Sequence, residues 1–298
     1  MKLSTREYRM LEKHGLGSSD AAAIMGLTER PSAADVYLRF INGRTNEDNI
    51  YMRAGRAMEP VILQEYAEQS KKILTLEDVI YIHPKYDFLV TKPDALTDDS
   101  YVEAKLTTHE DNYGAEGTDA VPDYVFCQVQ HGMEVTGKDY AEIPVIIWTR
   151  WLMEFRLYAV ARSNIIIPQM LELEKKFWEH NILGKIPPEP KTLDDARKLW
   201  PSSQMKSIEA DSETVDAITE LKELKQEIKE AERRKDFLEL QVKTKMKDAE
   251  ALRFSEMLLA TWKSNAVKRI DVKRLKDEKP EIAEEFTKET EERRFLVK

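Results

Sequence analysis

The sequence predicts an α/β fold: a central mixed β-sheet flanked by helices, followed by a coiled-coil helical arm with a small β element. Three observations carry that prediction. Short runs rich in β-branched and aromatic residues, VIYIHP, FLVT and YVEAKL, alternate with segments of helical apolar spacing. Two further strand-like runs, AEIPVIIWT and LMEFRLYAV, follow a helix-like segment, the order expected when helices cover a sheet. From Leu224 the aliphatic positions 224, 228, 231, 235, 238, 242, 245, 249 and 252 step by four and three, the seam of a coiled coil, interrupted by Lys235 and Lys245.

Taken in order, Arg6 to Gly26 reads as helix, glycine turn and helix: REYRMLEKH, GLGSSD, AAAIMG. Ser19 or Asp20 suits an N-cap there, and Gly26 a helix end. A helix is predicted over 33–41, stopped by Asn42-Gly43, and another over 57–72 with Pro60 in its first turn. LTDDS is turn chemistry between FLVTKPDAL and YVEAKLT, which are expected to pair. Pro122 opens a helix that Gly137 stops. A long helix around 164–182 ends at Gly184, before PPEP. In the last third LLATWKS, KRIDVKRL and RRFLVK read as strands and PEIAEEFTKE as a helix. The expected division is an α/β domain over 1–204 and a helical and small β module over 205–298.

The bulk numbers exclude several classes. At 298 residues, 42% hydrophobic and 34% charged, the chain can bury a full core beneath an ionic surface. It has no run of 18 apolar residues, so no membrane span is expected, and MKLSTREYRM lacks the apolar stretch of a secretory signal. The single cysteine, Cys127, excludes an intramolecular disulfide and a thiolate-rich zinc site. A reducing, cytoplasmic setting is the expectation. The net charge of −9 is uneven: 24 basic against 32 acidic residues up to 204, and 22 against 23 beyond.

The chemistry concentrates in KPDALTDDSYVEAKLTT, residues 92–108. If the two runs pair, Asp94 and Glu103 face one another near a sheet end. Glu103 and Lys105, two apart, share a face. Converging carboxylates repel unless a cation lies between them, and Mg²⁺ accepts two carboxylates plus waters. A lysine beside such an ion can stabilise an attacking hydroxide or developing phosphorane charge. The same residues also suit a surface hairpin with an ordinary cross-strand ion pair, and the pattern alone leaves both readings open. GLGSSD would offer backbone N–H groups and hydroxyls to an anion at a helix start, or simply cap it. No pair among the five histidines has metal-ligand spacing. Cys127 reads as a packing residue. Trp148 and Trp151 bracket Thr149-Arg150 in a strand turn, and core packing is the favoured reading over DNA contact.

Five ordered segments together resemble a known family. Pro93-Asp94, Glu103-Ala104-Lys105, GRAMEP at 55–60 and QVQ at 128–130 resemble the PD-(D/E)XK nuclease superfamily. GLGSSDAAAIMG at 15–26 brings the match to its YqaJ-type viral recombinases, relatives of lambda exonuclease. ATWKS, IDVKRLKDEKPEI and RRFLVK are similar to the C-terminal part of longer members. The resemblance implies a restriction-endonuclease-like core and a Mg²⁺-dependent 5′→3′ exonuclease on double-stranded DNA ends. It also implies two ions, with Mn²⁺ as a substitute, and 3′ single strands left for a single-strand annealing protein. Asp94, Glu103 and the Ala104 carbonyl would be metal ligands, and Glu59 would serve the second metal. Lys105 would position and activate water, and Gln128 would support the site. Gln130 would pack or sit behind it. Ser19 would hold the DNA 5′-phosphate, with Ser18 beside it. Where relatives carry arginine before the turn this chain reads EKH, so Lys13 or Arg9 would substitute and Arg30 would add a contact. A homotrimer would encircle the DNA. An endonuclease of the same superfamily and a non-catalytic DNA-binding scaffold are the competing readings.

Overall fold

The computed structural model describes residues 1–9, 15–43, 49–289 and 291–298. The chain divides at Trp200 and Pro201 into two units. The predicted helical stretch MLEKH, and with it Lys13, lies outside the described residues, as does the Arg9 side chain.

In the first unit the elements run β1 (Lys2–Ser4), α1 (Thr5–Arg9), β2 (Leu16–Gly17), α2 (Ala21–Ile24), α3 (Ala33–Asn42), α4 (Ile50–Ser70), β3 (Val79–Ile82) and β4 (Leu89–Thr91). They continue β5 (Ala95–Leu96), β6 (Ser100–Val102), β7 (Lys105–Thr107), α5 (Asp123–Thr136), β8 (Tyr140–Trp148), β9 (Met153–Ala161), α6 (Ile166–Lys176) and α7 (Leu193–Leu199). A 3-10 turn at Ser18–Asp20 leads into α2, and a π-helical segment, Phe177–Leu183, extends α6.

The strands form two sheets where a single central one was expected. One has the order β1-β3-β4-β2; the other has β5-β6-β8-β7 with β9 on β8. FLVT and PDAL therefore do not share a strand: the chain leaves one sheet after Thr91 and enters the other at Ala95. One proline differs from expectation and one strand proline is as the run AEIPVIIWT indicated. Pro60 lies in the interior of α4, because Asn49 caps that helix a full two turns earlier by accepting from the Met52 N–H. Pro144 lies inside a central strand, where a proline removes a ladder donor.

β8 explains how the second sheet is held. Ala141, Ile143, Val145 and Ile147 are all fully buried and pack on Val125, Val129 and Met133 of α5. On the opposite face Leu63 and Tyr66 of α4 cover Ala95 and Val102. A strand buried on both sides reads as a continuous apolar run, as IPVII does. Each such side chain contributes about 1.5–3 kcal/mol by leaving water. α3 begins at Ser32, whose hydroxyl accepts from the Asp35 N–H, and ends at Gly43 with φ 63°. Gly137, at φ 74°, ends α5 as its sequence indicated.

The second unit contains α8 (Ser212–Met246), a hairpin of β10 (Ala251–Phe254) and β11 (Met257–Thr261), α9 (Val272–Glu278) and α10 (Pro280–Glu285). Positions 249 and 252 of the predicted seam thus lie beyond the helix, and Leu252 is a strand residue. Along α8 only Met246 is buried. KRIDVKRL contains a helix rather than a strand, since Asp271 caps α9 by accepting from the Arg274 N–H. RRFLVK forms no strand.

Candidate active site

β5 and β6 pair antiparallel with Ala95 opposite Val102 and Leu96 opposite Tyr101, which sets Asp94 against Glu103 just past the paired residues. Asp94 Oδ2 accepts from the Ala104 N–H at 2.8 Å. Pro93 ends the pairing, so the strand edge of Ala104 meets the Asp94 side chain instead of another backbone. Ala104 lies between β6 and β7, outside the paired residues. Pro144 contributes from the other edge. The 100–107 strand runs parallel to β8, with Val102 opposite Glu142 and Lys105 opposite Val145. Glu103 N–H donates to Glu142 O at 3.1 Å, but the following ladder position on β8 is Pro144, which has no N–H to return. The ladder is interrupted at Glu103 and Ala104, where the polar groups concentrate.

Glu103 is 5% exposed and fully engaged. Its Oε1 accepts from Lys105 Nζ at 2.8 Å and from Gln128 Nε2 at 2.6 Å; its Oε2 accepts from Tyr101 Oη at 3.1 Å. Lys105 Nζ also donates to Gln128 Oε1 at 2.9 Å. One glutamine on α5 therefore braces both the carboxylate and the ammonium. Burial disfavours the Lys105 charge, but Glu103 and Asp94 outweigh it and hold the ammonium above the ordinary lysine range. Burial, followed by the charges of Glu103 and Glu59, pushes the Asp94 carboxyl up to about 8. Burial, then Glu103, likewise raises Glu59. Glu59 and Asp94 both line a cavity of about 680 Å³, with Pro60, Leu63, Lys92 and Pro93.

Among the described residues no three His, Cys, Asp or Glu side chains are grouped closely enough to hold a metal ion. The fit therefore rests on Asp94, Glu103 and the Ala104 carbonyl. All three are hard oxygen donors, and the half-buried Asp94 and buried Glu103 carboxylates repel one another, which a divalent cation with its own waters would relieve. Glu59 stands behind this pair, close enough to be felt electrostatically.

Two residues that the sequence reading passed over are central. Tyr101, fully buried, shares a face with Glu103 and Lys105, a period-two signal visible in YVEAK. The Thr91 hydroxyl lies 3.1 Å from its phenol; burial raises the phenol's pKa, and the Ser18 side chain acts on it in the opposite, lowering direction by a smaller amount. Gly132 is the second: a Cβ there would fall 2.5 Å from two Tyr101 ring atoms, so only glycine lets α5 approach.

The predicted phosphate residues are not gathered in one place. Ser18 is buried and turned toward Tyr101. Ser19 lines a separate cavity of about 970 Å³ with Tyr8, Gly17, Asp20, Arg39 and Lys185. Its cations are Lys185 and Arg39, the latter paired with Asp20 at 2.6 Å; the sequence offered no spacing that links either to Ser19. Arg30 is exposed, does not line this cavity, and acts electrostatically on Asp194. Asp20 accepts from Gly17 N–H, and neither Ser19 nor Asp20 makes the predicted side-chain cap on α2. Gln130 holds the end of β9 through Ala161 O and Ser163 N–H, away from the site. Cys127 packs as expected, its thiol pushed up to about 11 by burial. Trp148 and Trp151 are not core residues: they are 51% and 85% exposed.

Residues 7–139 match the family of YqaJ-like viral recombinase domains. The whole chain is 27% identical, over 313 residues, to 95% of an uncharacterized protein, YqaJ, of Bacillus subtilis (strain 168). Among solved structures, the alkaline exonuclease LHK-Exo from Laribacter hongkongensis is 17% identical with TM-score 0.46, over 61% of this chain and 94% of that one. A phage related exonuclease from Haemophilus somnus 129PT is 11% identical with TM-score 0.43, over 60% of this chain and 100% of that one. No helix among the described residues is long and apolar enough to cross a membrane.

Proposed function

Because the chain carries a YqaJ-like viral recombinase domain over residues 7–139, we propose that it is a divalent-metal-dependent deoxyribonuclease that degrades double-stranded DNA from its ends, 5′ to 3′. One observation carries the reading: Asp94, Glu103, Lys105 and Gln128 meet at an interrupted ladder, with a half-buried and a buried carboxylate set against one another and one ammonium braced beside them.

Asp94, Glu103 and the Ala104 carbonyl would hold Mg²⁺, or Mn²⁺ in its place, and Glu59 would serve a second ion through water. Such an ion, when bound, polarises a phosphodiester and makes a water more acidic. Lys105 supplies a fixed positive charge for orienting the attacking water and for the charge that develops on the phosphoryl oxygens. Gln128 and Tyr101 orient Glu103, so the carboxylate need not reorganise during the reaction. Ser19, with Arg39 near it, would receive a terminal 5′-phosphate. The 3′ strand left behind would pass to a single-strand annealing protein, and a homotrimer around the duplex would keep the enzyme on its track. Residues 1–204 would hold the nuclease function, with 205–298 as a helical and small β module.

End-labelled linear duplex with Mg²⁺ tests this. Linear DNA should be degraded from phosphorylated 5′ ends, and circular duplex should survive. Asp94→Ala, Glu103→Ala and Lys105→Ala should each lose activity while keeping their far-ultraviolet spectra. Equal cutting of circular duplex would replace the reading with an endonuclease. Undiminished rates in all three variants would sink it, and absent Mg²⁺ or Mn²⁺ uptake would favour a non-catalytic scaffold.

A further inference from the structure

The β8–β9 hairpin extends past the candidate site. Its strands pair from Tyr140 opposite Ala161 to Trp148 opposite Met153, while Lys105 is level with Val145. Trp148 is thus about 10 Å farther along the strand direction than the lysine. The turn beyond it is rigidly built. Thr149 N–H donates to Leu152 O at 2.8 Å, and Thr149 Oγ1 accepts from the Trp151 and Leu152 N–H groups at 3.3 and 3.0 Å. This turn presents Trp148, Trp151 and Leu152 to solvent. The Arg150 guanidinium lies 4.7 Å from the Trp151 ring centroid and has no ion pair among the described residues.

α4 reaches the same end. It runs antiparallel to β8: Tyr66 Oη donates to Glu142 Oε2 at 2.6 Å near the start of that strand, while Glu59 faces the site. At 1.5 Å per residue, Met52 lies about 10 Å beyond Glu59, matching the advance of Trp148. Ile50, Tyr51 and Met52 there are 63%, 77% and 43% exposed, with Arg53 and Arg56 in the next turns.

Resting on the nuclease reading above, we propose that the hairpin tip, Trp148 to Leu152, is a base-stacking platform that binds the unpaired bases of a DNA strand end beside the Asp94–Glu103 pair. The two flat rings are interleaved with a cation, the combination that suits unpaired bases and their phosphates. In a chain of net charge −9, DNA must find its cations locally, and Arg150 is one with no ion pair among the described residues. A duplex end being degraded frays at the point of cleavage, which the register places next to this tip.

The test uses the full chain and a 5′-fluorescein oligothymidylate, bound in EDTA so that nothing is cut and read by anisotropy. Trp148→Ala/Trp151→Ala should weaken binding by about tenfold or more, and Trp148→Phe/Trp151→Phe should restore most of it. Trp151→Ala alone, at a site that packs on nothing in the core, should show part of the loss with unchanged melting. Hydrolysis of bis(p-nitrophenyl) phosphate with Mn²⁺ should be unaffected in all three. Unchanged oligothymidylate affinity in the double alanine variant would overturn the proposal. A wild-type chain that does not bind the probe would do the same, and so would a loss that tracks a change in oligomeric state. If the wild-type chain hydrolyses neither bis(p-nitrophenyl) phosphate nor linear duplex DNA, yet the double alanine variant loses probe affinity, the nuclease reading falls and the platform stands.

Discussion

Gly132→Ala should damage both stability and catalysis, although alanine is the better helix former. In the interior of a helix the substitution alone is worth about 1 kcal/mol in favour of alanine. The structure opposes that gain. The new methyl would meet Tyr101 Cε2 and Cζ at 2.5 Å and Cε1 at 3.0 Å. Tyr101 is fully buried and tied through its hydroxyl to Glu103 and Thr91, so it cannot swing into solvent. Overpacking of this kind costs about 1–3 kcal/mol. Displacing the phenol from Glu103 adds about 1.5 kcal/mol for a hydrogen bond to a charged group. The net expectation is a destabilisation of about 2–3 kcal/mol, seen as a lowered urea midpoint with an unchanged slope. Nuclease rate should fall by about tenfold or more, since Glu103 loses its brace. A companion Tyr101→Leu, which removes the clashing atoms, should turn Gly132→Ala into a change that stabilises by up to about 1 kcal/mol. A Gly132→Ala protein about 1 kcal/mol more stable than wild type would refute the reasoning, because propensity would then be the only effect present.

Three further outcomes follow from the same geometry. Lys105→Met keeps the stem and removes the charge, and should lower the rate on linear duplex by about a hundredfold while the circular dichroism spectrum is retained. Ser19→Ala should reduce the preference for 5′-phosphorylated over 5′-hydroxyl ends by about tenfold, measured as the ratio of initial rates. The buried pair of His131 and Glu174, 2.7 Å apart, predicts a pH effect on stability. Burial alone would lower the His131 pKa, but Glu174 and the Val90 carbonyl outweigh it and leave it raised. A raised histidine stabilises fully below its unfolded pKa of about 6.5 and loses that contribution as pH rises through the folded value. The gap between wild type and His131→Gln should therefore be widest near pH 6, about 3 kcal/mol, and shrink toward pH 9. A gap that stays constant or widens with pH would contradict it.

Much of the site was legible because its spacing is local. Asp94, Glu103 and Lys105 lie within a dozen residues, and strand periodicity alone places Glu103 and Lys105 on one face. Gln128 required the resemblance, since nothing local connects it to Lys105. Tyr101 was readable from the same alternation but looked like an ordinary core aromatic. Gly132 and Pro144 were not readable. Glycine in a helix normally signals a weakness and proline in a strand an edge; here each is fixed by what lies across the gap. The tryptophans reversed expectation because aromatic residues usually bury, and only the length of the hairpin shows that its tip outruns the core.

The sequence by itself determined most element types of the first unit, the helix stops at Gly43 and Gly137, and the candidate trio at 94, 103 and 105, because propensity, capping and periodicity act over a few residues; in the second unit it misassigned KRIDVKRL and RRFLVK. Only the tertiary structure decided that β4 and β5 belong to different sheets, and that Ser18 faces Tyr101 while Ser19 faces a cavity. It also decided that Pro144 interrupts the ladder beside Glu103. Those outcomes depend on which distant segments share an edge or a face, and pairing of that kind is set by the packing of the whole unit.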